Sequence, residues 1–238
     1  MNRTSAGASP SATTPIPRQI RYIIGNEGCE RFSFYGMRNI LTVFLVTSLL
    51  QYLPESDRAG AAKHVFHTFV IGVYFFPLLG GWLADRWLGR YWTILSISLF
   101  YCLGHGALAL FEGHLAGVYL GLGLIAIGAG GIKPCVSAFV GDQFTTHQES
   151  LLTRIYGWFY WAINLGAFFG YALIPLLRDR AGYSWAFGVP GIFMALATLI
   201  FWLGRKRYVM MPPSRGTKQA GFMRVLAAAW QQRGRRQA

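Results

Sequence analysis

Blocks of about 20 consecutive apolar residues recur along this chain, each fenced by charged or turn-forming residues, and this spacing constrains the fold more than any other feature. Residues 91–111, 113–132 and 155–177 contain no Lys, Arg, Asp or Glu, and 64–84 and 185–203 complete a series of five. A helix rises 1.5 Å per residue, so each block matches the roughly 30 Å hydrocarbon core of a bilayer. A sixth stretch, from about 19 to 53, precedes them and carries charges in its first half. The pattern predicts an all-α membrane protein with six transmembrane helices.

Composition agrees: 53% of the 238 residues are hydrophobic and 13% are charged. The formal net charge of +13 does not form a stripe on one soluble face, which excludes nucleic acid as the partner it serves. The charges sit at helix ends. Arg18, Arg21, Arg86, Arg90, Arg154, Arg205, Lys206 and Arg207 fall on one side of the predicted array, against Arg58, Lys63, Arg178 and Arg180 on the other. Eight against four puts both termini in the cytoplasm.

The chain divides accordingly. Residues 1–17, rich in Ser, Thr, Ala and Pro and lacking an apolar signal core, read as a disordered cytoplasmic tail. Residues 18–204 read as the transmembrane bundle, with membrane lipid as its surroundings. Residues 205–238 read as a basic cytoplasmic linker whose part around 222–230 suits an amphipathic surface helix. Connections of about 6 to 13 residues predict consecutive helices as antiparallel neighbours. Gly117, Gly121, Gly128, Gly130 and Gly131 on the fourth helix, and Gly166 and Gly170 on the fifth, predict close backbone approach. Cys29, Cys102 and Cys135 lack metal-ligand or disulfide spacing. With no Ser/His/Asp set, metal set or phosphate loop, neither an enzyme nor a cofactor is expected.

Five ionisable residues fall at membrane depth: Glu27, Glu30, Arg31, Arg38 and Lys133. A charge at the bilayer centre costs about 2.5 to 3.5 kcal/mol on insertion scales, so these groups are expected to face a cavity and neutralise one another. At 100° per residue, Glu27, Arg31, Phe34 and Arg38 share one line of the first helix, flanked by Glu30 and Tyr35. His67 and Tyr74 share a face of the second helix, and Tyr156, Tyr160 and Asn164 a row of the fifth. Each has a plainer alternative. Glu27 and Arg31 could be an interfacial helix pair, Lys133 could extend to the headgroups, and His67 and the tyrosines could be packing residues.

Four stretches carry a family resemblance. Gly80-Gly81-Trp82-Leu83-Ala84-Asp85-Arg86-Trp87-Leu88-Gly89-Arg90 resembles the cytoplasmic loop motif of the major facilitator superfamily. Glu27-Gly28-Cys29-Glu30-Arg31-Phe32-Ser33-Phe34-Tyr35-Gly36 resembles the E-x-x-E-R-F-x-Y-Y-G motif of the proton-dependent oligopeptide transporters, with Phe34 where a tyrosine is usual. Gly131 to Ser137 with Gly141-Asp142-Gln143-Phe144, and Phe159 to Gly166, resemble that family's fourth- and fifth-helix signatures. The resemblance runs from about residue 18 to about 215.

The resemblance implies the N-terminal half of a major facilitator fold and the proton-coupled symport of di- and tripeptides. It assigns proton coupling to Glu27, Glu30 and Arg31, exchanging salt bridges with Lys133, and to a proton-sensitive His67. Substrate contacts fall to Arg38, Tyr35, Tyr74, Lys133 and Asn164, and the conformational loop motif to Gly81, Asp85, Arg86, Gly89 and Arg90. Phe34 removes one hydroxyl from the peptide site. The family's location is the plasma (inner) membrane, and its fold has a second six-helix half, here supplied by a C-terminal half or by self-pairing. Two other readings stand beside peptide symport: transport of another small solute, and a truncated membrane fragment that does not transport.

Overall fold

The computed structural model describes residues 16–144 and 149–213. The tail expected over 1–17 lies almost wholly outside these residues, as does the amphipathic helix expected around 222–230. Four helical runs are long and apolar enough to cross a membrane: Ile20–Leu49, Glu55–Leu110, Leu115–Asp142 and Leu151–Lys206. Two of them contain 56 residues, which as straight rods would measure about 84 Å, nearly three bilayer cores. Each is folded back on itself at a glycine. Gly89 has φ 77° and Gly182 has φ 84°, left-handed values that a Cβ would strain.

Six helices result. These are α1 (Ile20–Phe44), α2 (Glu55–Leu83), α3 (Gly89–Leu110) and α4 (Leu115–Asp142), followed by α5 (149–181) and α6 (183–203) on either side of Gly182 in the run Glu149–Leu203. Wider π-helical turns, Leu45–Leu49 and Ala84–Leu88, end α1 and α2. Except between α4 and α5, where residues 143–148 intervene, the connections are therefore shorter than the predicted 6 to 13 residues. The motif from Gly80 to Arg90 is not an open loop: α2, the π turn and α3 account for all of it. The helices continue past their apolar blocks, because charged residues such as Asp57, Arg58 and Lys63 stay helical in the headgroup layer.

The up-down alternation holds, but consecutive helices are not all neighbours. In α1, Gly28, Phe32 and Gly36 lie against Gly166 and Gly170 of α5 in the same order, so these two run parallel. Gly25 meets Ile200, and Phe32 and Phe44 stack on Phe193 and Phe187, so α6 is antiparallel to α1. Gly104 meets Gly121, and Tyr101 meets Gly128, so α3 and α4 are antiparallel. Gly72 lies by Ala126 and Gly80 by Gly131, so α2 and α4 are parallel. Tyr91 stacks on Phe201 and His105 meets Gly191, pairing α3 with α6. Moving each helix three places along the chain maps α1/α5 onto α4/α2 and α1/α6 onto α4/α3. This is the nested three-plus-three repeat of a major facilitator half.

Backbone proximity explains the pairing. A Cβ on Gly166 would collide with the Gly28 carbonyl and lie 3.0 Å from the Phe32 amide. One on Gly80 would lie 2.6 Å from the Gly131 Cα. Without a hydrophobic drive between helices in lipid, these small faces choose the partners. Of the seven glycines singled out from the sequence on α4 and α5, six sit in such contacts, and Gly117 meets Phe111 in the connection before α4.

Candidate functional site

The α1 face that carries ions in the sequence is buried. Glu27 is 6% exposed, Glu30 1% and Arg31 5%. Arg31 lies between the two carboxylates: its Nε is 3.0 Å from Glu27 Oε1 and closer still to Glu30 Oε2. Glu27 is one helical turn before Arg31, so the first contact is built into α1 itself. The packing of α5 and α6 on the opposite side of α1 holds this face inward.

Beside the triad a cleft opens between α1, α2 and α4, lined by Arg31, Phe34, Tyr35, Arg38, Val70, Val73, Tyr74, Ala129 and Lys133. Five residues assigned a role from the sequence thus share one wall: Arg31, Tyr35, Arg38, Tyr74 and Lys133. Lys133 sits nine residues before the end of α4, and its Nζ lies 5.8 Å from the centre of the Tyr74 ring. Arg38 stacks at 5.5 Å over Phe66 of α2. The five charges were expected to neutralise one another, but only three are in direct contact: two carboxylates on one arginine, with Lys133 the next cation to face them. Arg38 and Lys133 rest on aromatic faces, and among the described residues neither has an ion-pair partner. Aromatic rings tolerate a cation without neutralising it.

His67 is exposed on the Tyr74 side of α2, two turns away, with its ring 5.9 Å from Phe66. Asn164 is exposed, and its amide donates to the Tyr160 carbonyl at 2.8 Å. It lies across α5 from Gly166 and is not among the residues lining the cleft. Tyr156 hydrogen-bonds the Ser137 carbonyl of α4 at 3.2 Å, and Tyr35 packs its ring 5.6 Å from Tyr171 of α5.

At the end where α2, α4 and α6 finish, two motifs read separately from the sequence meet. Arg90 bonds Asp142 and lies 4.0 Å from Asp85. Arg86 and Asp85 are exposed on the π turn, with Gly81 one turn before it. Gln143 clamps the chain that leaves α6, since its amide donates to the Val209 carbonyl at 3.2 Å and accepts from the Val209 amide at 2.9 Å. Tyr208 closes the same strap, donating to the Phe201 carbonyl at 3.0 Å. Sequence reasoning missed this clamp, although Gln143 stands in one of the quoted signatures. It also missed a buried pair, Ser33 and His105, joined at 2.8 Å between α1 and α3, for which no motif gave a signal.

Comparison with known proteins bears on the whole arrangement. A profile described as the POT family matches residues 91–238. "Peptide transporter family 1" of Drosophila melanogaster is 44% identical over 236 residues, covering 92% of this chain and 31% of the relative. "Solute carrier family 15 member 2" of Rattus norvegicus is 42% identical over 211 residues, covering 83% and 28%. Among solved structures, the POT family transporter PepTSo superposes with a TM-score of 0.86 at 57% identity, over 91% of this chain and 43% of that one. An auto-inhibited POT family peptide transporter gives 0.84 at 56%, over 90% and 42%. The chain thus spans about a third of the curated relatives it matches and under half of these structures. The signature residues, the six-helix repeat and these likenesses converge: the chain belongs to the POT family and has the fold of a major facilitator half.

Proposed function

We propose that this chain forms the first half of a proton-coupled symporter of di- and tripeptides. The observation that carries the reading is the division of charge around the cleft. On one side Arg31 pairs with both Glu27 and Glu30. On the other, Arg38 and Lys133 are held over rings with no carboxylate in contact. Two cations without a contacting anion suit the carboxylate and carbonyls of a peptide backbone. A carboxylate pair sharing one arginine suits a group that takes up and releases a proton. With Lys133 across the cleft, a Glu that leaves Arg31 has a second cation to meet, which couples protonation to conformation. Inward proton movement adds about 2.3 kcal/mol per charge per 100 mV.

In this reading Tyr35 and Tyr74 frame the peptide and Asn164 meets it from α5. His67 tunes the pH response. Gly81, Asp85, Arg86, Gly89 and Arg90 form the hinge at the cytoplasmic end. The protein sits in the plasma (inner) membrane with both termini cytoplasmic. A second six-helix half, from a C-terminal segment or from another copy, closes the site from the far side, as alternating access requires. No catalytic step and no cofactor enter the cycle.

The test is uptake of a labelled dipeptide into proteoliposomes by a two-half transporter carrying this chain, under an inward proton gradient. Unlabelled di- and tripeptides should compete, whereas free amino acids and small inorganic anions should not. Competition by an inorganic anion alone would replace peptide with another small solute.

A further inference from the structure

Behind the triad, on the side away from the cleft, lies a second set of polar groups that peptide binding does not use. Tyr101 and His105 are one turn apart on α3, and both are fully buried. Their rings stack at 5.2 Å with planes 17° apart. His105 Nε2 is 2.8 Å from Ser33 Oγ of α1, which is also fully buried. The Tyr101 hydroxyl faces Glu30, one turn before Ser33 on the same helix. Glu30 and Ser33 of α1 therefore meet Tyr101 and His105 of α3 across one dry interface.

Two further features single this set out. Both rings are seated by glycines from other helices: a Cβ on Gly128 of α4 would lie 2.5 Å from Tyr101 Cβ, and one on Gly191 of α6 would lie 2.9 Å from His105 Cβ. A larger residue at either glycine would push the base of the ring it seats. In addition, Glu30 Oε1 is buried without a hydrogen-bond partner, while Oε2 is taken by Arg31. A buried carboxylate oxygen calls for a donor, and Tyr101 is the neutral donor aimed at it.

We infer that Tyr101 is a positioning residue for Glu30, held by His105 and through it by Ser33, and that it sets the pH at which the triad exchanges its proton. A phenol can donate to a carboxylate or accept from a carboxylic acid. It is therefore a partner for Glu30 in either protonation state, while Arg31 is a good partner only for the charged one. The proton comes from the cleft and stays on the carboxylate; Tyr101 and His105 keep theirs. The other groups facing Glu30 are Glu27 and Arg31 from α1 and Lys133 from α4, while Cys102, which faces Tyr101, turns its thiol to Thr198 of α6. From α6 come the Phe187 backbone, which faces His105, and Gly191.

This inference rests on the proton-coupling role proposed for Glu30, and two measurements separate the failure of each. The first uses the 238-residue chain in lipid and follows the infrared carboxylic C=O band while pH is varied. Tyr101→Phe removes only the hydroxyl that faces Glu30, so a donor able to meet the charged carboxylate is lost and the band should persist about one pH unit higher than in the parent. Ser33→Ala, the milder change if Tyr101→Phe does not fold, should shift it in the same direction by less. The second is the pH profile of dipeptide uptake by the two-half transporter, whose midpoint should move by the same amount. A purely structural pair would lower the rate at every pH without moving either midpoint. Superimposable infrared titrations of parent, Tyr101→Phe and Ser33→Ala overturn the inference. A parent that titrates but takes up no peptide overturns only the transport reading beneath it.

Discussion

Replacing Arg31 with Gln removes the one cation in contact with two buried carboxylates. Arg31 Nε is 3.0 Å from Glu27, and Glu30 on its other side is 1% exposed. At that separation each pair is worth about 5 kcal/mol at an effective dielectric constant of 20. The net loss is smaller, because the parent has already desolvated all three groups. Removing one member of a buried pair costs about 3 to 5 kcal/mol. For a chain of this size 1 kcal/mol corresponds to about 2 to 4 °C, so Arg31→Gln should lower the unfolding midpoint at pH 8 by roughly 6 to 20 °C. The sign with pH follows from the species stranded. Protonation neutralises the two carboxylates, so the gap between variant and parent should narrow as pH falls. Adding Glu27→Gln and Glu30→Gln should restore most of the loss, since no buried carboxylate is then stranded. The assay is thermal unfolding in a mild detergent at pH 5 and pH 8, for parent, single and triple variants. An Arg31→Gln midpoint within 1 °C of the parent at pH 8, or a gap that widens in acid, would refute the account of the triad as a mutually neutralised buried unit.

Three further outcomes follow from the same geometry. In a two-half transporter, Lys133→Ala should abolish proton-driven accumulation while exchange without a gradient survives; normal accumulation at acidic external pH would remove Lys133 from coupling. His67→Gln should move the pH profile of uptake without abolishing transport, because His67 is exposed on α2 and the proposed cycle places the proton on the triad; an unchanged profile would make it a packing residue. Gly166→Val should cost about 1 to 3 kcal/mol, and more if α1 cannot yield, because its Cβ meets the α1 backbone at Gly28 and Phe32. Gly123→Val, with nothing within 4 Å of its Cβ, is the control: equal destabilisation by both would show that glycine loss alone, not α1/α5 contact, is responsible.

Much of this was legible in the sequence because a bilayer imposes length and charge rules with few exceptions. The apolar blocks gave the helices, and the 100° spacing placed Glu27, Arg31, Phe34 and Arg38 on one face. Helix neighbours were not legible from loop length. Short connections make α1 and α2 antiparallel but do not make them touch, and the fit of Gly28 to Gly166 and of Gly80 to Gly131 decides which helices do. The fate of Arg38 and Lys133 was hidden for a related reason, since Phe66 and Tyr74 become their partners only once α2 lies against α1 and α4. Ser33, Tyr101 and His105 were hidden most completely. Tyr101 and His105 are polar residues in an apolar run, Ser33 holds an unassigned position in the charged stretch of α1, and only the crossing of α1 and α3 brings them together.

In the proposed cycle Arg38, Lys133 and the triad of Glu27, Glu30 and Arg31 serve proton-driven peptide uptake that needs a second half. The direct measurement is labelled dipeptide entry into proteoliposomes under an inward proton gradient, with the purified 238-residue chain alone and with the same chain joined to the second half of a POT family relative. The joined protein should accumulate peptide saturably and lose accumulation when the gradient is collapsed, while the chain alone should show only leak. Gradient-driven uptake by the chain alone would contradict the half-transporter reading, and a well-folded joined protein that moves no peptide would contradict the peptide-symport reading.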